Sequence, residues 1–214
     1  MPGHTVVDVG ANIGHHSVVL SRLVGAAGRV LAFEPQPFVH RVLESNLLIN
    51  SCTNAQALRL ALGARPGTAV MNPMDYESGD WNVGGLGLQG SGHAGNPSVV
   101  GTEVQVATLD DVIGTDDVHF IKCDAQGFDF EVVKGGIRTL RRCKPIVLLE
   151  VAPLSMPGGP DAYRQMYGLL TELGYVLVDP LDPGFRKPAR EATGVPEEWD
   201  VLALQPRHLE RLST

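Results

Sequence analysis

The stretch VVDVGANIGHHS, Val6 to Ser17, runs a β-branched apolar segment into residues that cannot extend it. Thr5 to Val9 reads as a short buried strand. Asn12 to Val24 then carries apolar residues at helical spacing, Val18, Val19, Leu20 and Leu23, until Gly25 and Gly28 end the pattern. In between, Gly10 permits a positive φ and a tight turn, and Gly14 allows the helix to pack closely on the strand. A strand, a glycine turn and a helix in this order open a parallel α/β unit.

The same alternation continues outward. Val30 to Phe33 leads through Glu34-Pro35 into a helical pattern over Phe38 to Ile49, and Ala55 to Leu62 reads as a third strand. His119 to Cys123 is a fourth strand, Asp129 to Leu140 a helix, with Lys134-Gly135 reading as a helix C-terminus, Pro145 to Val151 a fifth strand and Ala162 to Leu173 a helix stopped by Gly174. Tyr175 to Asp179 and Asp200 to Leu204 form a closing hairpin at one sheet edge. The expected class is α/β: a Rossmann-like sheet, mostly parallel, with a closing antiparallel hairpin. Ser78 to Gly101 carries too many glycines for a helix or packed strand and reads as a long loop, with Trp81, Asn82 and Leu86 as contact candidates.

Length and composition restrict the function. A chain of 214 residues suits one domain over 1–214, and 43% hydrophobic with 19% charged residues indicates a packed core. The net charge of −7 argues against a surface that tracks a phosphate backbone, despite a local basic group of Arg138, Arg141, Arg142 and Lys144. Nucleic acid is therefore not an expected partner. Cys52, Cys123 and Cys143 have neither disulfide-framework nor zinc-like spacing, which fits a reducing, cytoplasmic compartment. No run approaches the roughly 20 apolar residues of a membrane helix, and the N-terminus lacks a signal-peptide pattern, so no membrane role is expected.

In a parallel α/β sheet ligands sit beyond the carboxyl ends of the strands, where Gly10 to Gly14 lies. The dinucleotide fingerprint GxGxxG fails at two of its three places, since Asn12 and His15 stand where the second and third glycines belong. The bulk of Asn12 hinders a pyrophosphate, whereas its amide suits an amino-acid carboxylate or the loop itself, and Asp8 at the strand end suits an ammonium group. The amino and carboxyl groups of a methionine end match both. Glu34 ends the second strand, at a distance where a carboxylate accepts bonds from ribose hydroxyls. S-adenosylmethionine is the expected cofactor, with Asp8, Gly10, Asn12, Gly14 and Glu34 around it.

Three blocks, VVDVGANIGHHS, VLAFEPQPFVHRVLESNLLIN and TLDDVIGTDDVHFIKCDAQGFDFEVVKGG followed by PIVLLEV, together resemble the FkbM family of S-adenosylmethionine-dependent methyltransferases over about residues 5 to 151. The resemblance implies a class I methyltransferase sheet and places Asp124 at the end of the fourth strand, facing methionine and substrate. Two departures stand out. The family commonly reads D-V-E-G where this chain has Asp124-Ala125-Gln126-Gly127, and only a few residues precede the first strand. The second leaves three expectations: an unusually open site, one completed by a partner, or a fragment of a longer chain.

Attack of a neutral hydroxyl on a sulfonium methyl is helped by a group that takes its proton. Asp124 and Glu150, at the ends of adjacent strands, are the expected catalytic acids, and Asp124 also borders the cofactor. His15, His16 and His119 read as structural or exposed, and Asp110-Asp111 and Asp116-Asp117 as helix-start and turn residues. No adjacent acid pair follows the fifth strand, so no metal is expected. The leading reading is an O-methyltransferase acting on a hydroxyl of a sugar or secondary metabolite, a small-molecule or glycan acceptor, with a homo-oligomer allowed. The alternatives are an S-adenosylmethionine-binding protein lacking transferase activity and, less favoured, an NAD-dependent oxidoreductase.

Overall fold

A computed structural model of the chain describes residues 2–71, 101–185, 187–189 and 198–212. The glycine-rich loop expected from Ser78 onward, with Trp81, Asn82 and Leu86, lies outside the described residues. The first half runs β1 (Thr5–Val9), α1 (His15–Val24), β2 (Arg29–Phe33), α2 (Pro37–Ile49), β3 (Ala55–Leu58), β4 (Ala61–Leu62) and β5 (Gly67–Met71). It continues with β6 (Thr102–Ala107), α3 (Leu109–Ile113), β7 (Phe120–Cys123), α4 (Asp129–Gly135), α5 (Ile137–Cys143) and β8 (Ile146–Val151). The last elements are α6 (Gly159–Glu172), β9 (Val176–Val178), β10 (Trp199–Leu204) and α7 (Pro206–Leu212).

Seven strands form one sheet in the order β3-β2-β1-β7-β8-β10-β9. Neighbours are parallel except that β10 runs antiparallel to both β8 and β9. The chain builds outward from β1 to β3 and then returns to lay β7 on the other side of β1. This reversal opens a crevice at the carboxyl ends of β1 and β7, the usual ligand position in such sheets. The closing hairpin is present, but its second strand is inserted inside the sheet and β9 forms the edge.

Strand side chains alternate between two layers, as the two-residue period requires. Val6, Val30 and Ala32 pack with Leu20, Val24, Leu43 and Leu47 of α1 and α2. Val7, Val9, Leu31 and Phe33 face the layer that holds Leu109, Val132, Leu140, Met166 and Leu170. Burial on both sides explains why Val6 to Val9 reads as a near-continuous apolar run with one acid in it. On β8 the alternation is uneven: Val147, Leu149 and Val151 are buried, while Ile146, Leu148 and Glu150, on the α1 side, are half-buried.

Several expectations are corrected. The strand over Ala55 to Leu62 is two strands, because the chain turns at Arg59-Leu60 and Ala61-Leu62 pairs with β6 in a separate three-stranded sheet, β4-β6-β5. The helix over Asp129 to Leu140 breaks at Gly136 into α4 and α5. On α1 the inward face is Ser17, Leu20, Ser21 and Val24, whereas Val19 and Leu23 are about half exposed, at 45% and 51%. Both inward serines are satisfied. The Ser17 hydroxyl donates to Asp8 Oδ2 at 2.6 Å, and the Ser21 hydroxyl donates to Asn54 Oδ1 at 2.5 Å. These bonds, more than the apolar spacing, set the rotation of α1. No described helix is long and apolar enough to cross a membrane.

Candidate active site

The loop after β1 is pinned from three directions. The Ala11 N–H donates to the Phe33 carbonyl at the end of β2, the Asn12 N–H donates to Glu34 Oε2 at 3.0 Å, and Asn46 of α2 donates through Nδ2 to the Ile13 carbonyl at 2.7 Å. Asn12 has φ 51° and its Oδ1 accepts from the Ile13 N–H, so its side chain braces its own loop. Gly14 was expected to let helix and strand approach. Its close neighbour is instead Leu43 of α2, whose Cδ1 would lie 2.7 Å from a Cβ placed on Gly14.

Gly10, with φ 69°, stands where the end of β1 meets the residue that follows β7. A Cβ there would lie 1.8 Å from the Asp124 carbonyl oxygen, while the Asp124 N–H donates to the Val9 carbonyl at 3.1 Å. Only a residue without a side chain lets the ends of β1 and β7 meet this closely.

Glu34 is buried, at 7% exposure, and both its oxygens accept backbone N–H groups: Oε1 from Gln36 at 2.9 Å and Oε2 from Asn12 at 3.0 Å. Burial pushes its carboxyl up to about 7, against the lowering effect of those two bonds. The folded protein therefore holds this proton at pH values where the unfolded chain, near 4.5, has lost it. Stability from this group is full below pH about 4.5 and is lost as pH rises through about 7. In thermal melts across pH 5 to 8, the wild-type melting temperature is expected to fall relative to Glu34→Gln, whatever the constant offset between the two proteins. A pH-independent difference would contradict this account.

Asp8 has no accessible surface. Its Oδ2 is held by Ser17, its Oδ1 has no hydrogen-bond partner, and Lys122 Nζ lies 3.7 Å from Oδ1. Burial raises its pKa, while Lys122 and Ser17 oppose the rise. Lys122 also donates to Asp124 Oδ2 at 3.2 Å, and Gln126 Nε2 donates to Asp124 Oδ1 at 2.9 Å. Asp124 is in turn hydrogen-bonded to Glu150. The two acids expected to be catalytic are thus brought into one pair, on the side of the sheet that Asp8 faces.

Three contributors were not singled out from the sequence: Lys122, Gln126 as a donor, and Asp129. Asp129 is fully buried, and its Oδ1 accepts from the Ala125 N–H at 2.9 Å and from the Cys123 thiol at 3.3 Å, which fixes the turn that carries Asp124. Burial raises its carboxyl to about 6. A lysine inside the apolar run FIKC was the available signal for the first of them. His15 and His16 are both exposed, but His16 has its pKa lowered by partial burial and then by Lys122, so it borders this group. His119 is at the opposite end of the sheet, stacked on His4 at 4.2 Å with its Nδ1 accepting the Thr5 N–H. Asp110 accepts the N–H groups of Arg138 and Thr139, and the Thr108 hydroxyl caps α3, in keeping with a helix-start role. Among the described residues no cluster of His, Cys, Asp or Glu is arranged to hold a metal ion.

This chain matches the family described as Methyltransferase FkbM domain over residues 8–177. It is similar to the methyltransferase sdnD of Sordaria araneosa, 28% identical over 167 residues, a match covering 61% of this chain and 59% of that protein. Its fold is similar to that of the methyltransferase FkbM from Methylobacillus flagellatus KT, with a TM-score of 0.60 at 17% identity, over 95% of this chain and 44% of that one. It is also similar to the O-methyltransferase TomG of Streptomyces achromogenes, involved in tomaymycin synthesis and solved with S-adenosylmethionine, with a TM-score of 0.52 at 10% identity, over 94% of this chain and 73% of that one. The chain thus spans 59% of the length of sdnD and 44% of the Methylobacillus chain.

Proposed function

The chain belongs to the FkbM methyltransferase family, and from that premise we propose that it transfers a methyl group from S-adenosylmethionine to a hydroxyl of a small-molecule or glycan acceptor, a sugar or secondary metabolite. The observation that carries the proposal is the reversal of strand order between β1 and β7, where Gly10 lets the strand ends meet and Asp124 and Glu34 follow the carboxyl ends of β7 and β2. S-adenosylmethionine would supply an activated methyl on a sulfonium. Glu34 would hold the ribose, since each of its oxygens accepts one backbone N–H and keeps a further lone pair. Gly10, Asn12 and Gly14 would shape the loop around the methionine end. Asp8, with no accessible surface, would act on that end through the loop, anchored by its bond to Ser17.

Asp124 would border the donor and accept the proton of the attacking hydroxyl, with Glu150 as its hydrogen-bonded partner. The oxygen acceptor is favoured because a neutral hydroxyl is the nucleophile that most needs such a base. We place the reaction in a single domain over 1–214, in the cytoplasm, with no nucleic-acid or membrane partner.

A calorimetric titration with S-adenosylhomocysteine beside NAD tests the cofactor. Saturable binding of the former alone is expected; at about pH 8.5, where Glu34 is ionised, Glu34→Ala should lose at least about tenfold in affinity because a charge-assisted hydrogen bond contributes about 1.5–3 kcal/mol. Tighter NAD binding would overturn the reading, and unchanged affinity in the variant would overturn the ribose placement.

A further inference from the structure

Strand β7 carries a lysine where its neighbours Ile121 and Cys123 are core residues. The Lys122 side chain is only 11% exposed, and a buried ammonium is tolerated only when paired. Register shows what it is paired with. Lys122 lies opposite Asp8 of β1, Cys123 opposite Leu149 of β8, so that Asp124 follows beside Glu150, and Glu150 lies opposite Asp200 of β10. One row of side chains therefore crosses three strands with Asp124, Glu150 and Asp200 in it, and Lys122 is the cation next to it.

Two carboxyl groups within hydrogen-bond reach share a proton, because both cannot ionise at that distance. The donors around Asp124 decide where that proton resides. Asp124 Oδ2 accepts from Lys122 Nζ and Asp124 Oδ1 accepts from Gln126 Nε2, so each oxygen already faces an N–H. Each donor takes one of the two lone pairs on its oxygen and stabilises the ionised form, while the second lone pair stays open to a proton. At rest the shared proton is therefore favoured on Glu150.

We propose that Lys122 and Gln126 are positioning residues, a two-donor clamp that keeps Asp124 ionised and leaves the shared proton on Glu150, so that Asp124 is the base of the methyl-transfer site. The clamp rests on the methyl-transfer reading above only for the last of these consequences. It also gives Gln126 a purpose. An ionised acid at this place could not donate to Asp124, whereas the glutamine amide does, from a residue held at φ 50°. The pair's electrostatics agree with the geometry. Glu150 is raised to about 8, by its hydrogen bond to Asp124 and then by burial. Burial alone would raise Asp124, but the bond from Glu150, the Lys122 charge and the Gln126 bond together hold it below the ordinary value. The other charged groups facing the pair are Asp8 from β1, Glu34 after β2, Asp129 from α4, His16 from α1, and Glu198 and Asp200 from β10 and its approach.

The test is an infrared titration of the protonated-carboxyl band in wild type, Lys122→Met, Lys122→Arg and Gln126→Glu, with the band assigned by its loss in Glu150→Gln. In wild type the band is expected to vanish near pH 8. Lys122→Met and Gln126→Glu should each move that point upward by at least about one pH unit, a tenfold gain in proton affinity, while Lys122→Arg should leave it within about 0.3 unit. A lysine needed only for folding would lower the melting temperature and leave the titration in place. That outcome overturns the clamp, as does a band lost in Asp124→Asn but kept in Glu150→Gln. If Lys122→Met fails to fold, Gln126→Glu and Lys122→Arg carry the comparison alone. S-adenosylhomocysteine calorimetry on the same wild-type preparation separates the two ideas: the expected titration without ligand binding sinks the methyl-transfer reading and leaves the clamp intact.

Discussion

Gly10→Ala is expected to remove measurable S-adenosylhomocysteine binding and to lower the melting temperature by roughly 5–15 °C. Two costs combine. At φ 69° an alanine is strained by about 1–2 kcal/mol, and a Cβ 1.8 Å from the Asp124 carbonyl forces β1 and β7 apart, an overpacking cost of about 1–3 kcal/mol. For a domain of this size each kcal/mol moves the melting point by about 2–4 °C. Binding suffers more than stability, because the displaced atoms belong to the turn that carries Asp124, and a shift of about 1 Å at such a site can cost about 10²-fold. Gly174→Ala is the control. It has a similar φ of 83°, but its Cβ would meet only the Gln205 side chain at 3.5 Å, an ordinary contact far from the crevice. Wild-type affinity in Gly10→Ala would show that the ligand does not lie against this loop.

The strand ends were legible because strands buried on both faces are conspicuous. VVDV, VLAF and IVLLEV announce themselves as apolar runs, and the polar residues that terminate or interrupt them, Asp8, Glu34 and Glu150, stand out by contrast. The small sheet was not legible. Its strands GTAVM and TEVQVA are short and partly exposed, and Ala61-Leu62 joins them only through a parallel pairing to Val106-Ala107, distant in sequence. A local pattern cannot show such a contact, so β3 and β4 read as one strand. The rotation of α1 was misread for a related reason: two serines bonded to Asp8 and Asn54 occupy the inward stripe that apolar spacing assigns to valine and leucine. Lys122 was hidden most thoroughly. Asp8, one of the acids that hold it, lies on another strand more than a hundred residues earlier in the chain, and in FIKC a single lysine is indistinguishable from a residue on a solvent face.

Asp124→Asn should reduce the rate of labelled-methyl transfer from S-adenosylmethionine, scored against a panel of sugars, polyols and phenols, by about 10²–10⁴-fold. It should change S-adenosylhomocysteine affinity by less than about tenfold, since asparagine keeps the size of the side chain and one acceptor oxygen. The substitution removes the negative partner 3.2 Å from Lys122 and leaves that ammonium with Asp8 alone. It also removes the largest cause of the raised Glu150 pKa, so Glu150 should ionise well below pH 8 in this variant. Glu150→Gln separates the two acids. Glutamine can still donate to Asp124, and Lys122 and Gln126 still hold Asp124 ionised, so its rate loss should be much the smaller. If Glu150→Gln is instead the more damaging change, the proton of the acceptor passes to Glu150, and Asp124 serves only to orient it.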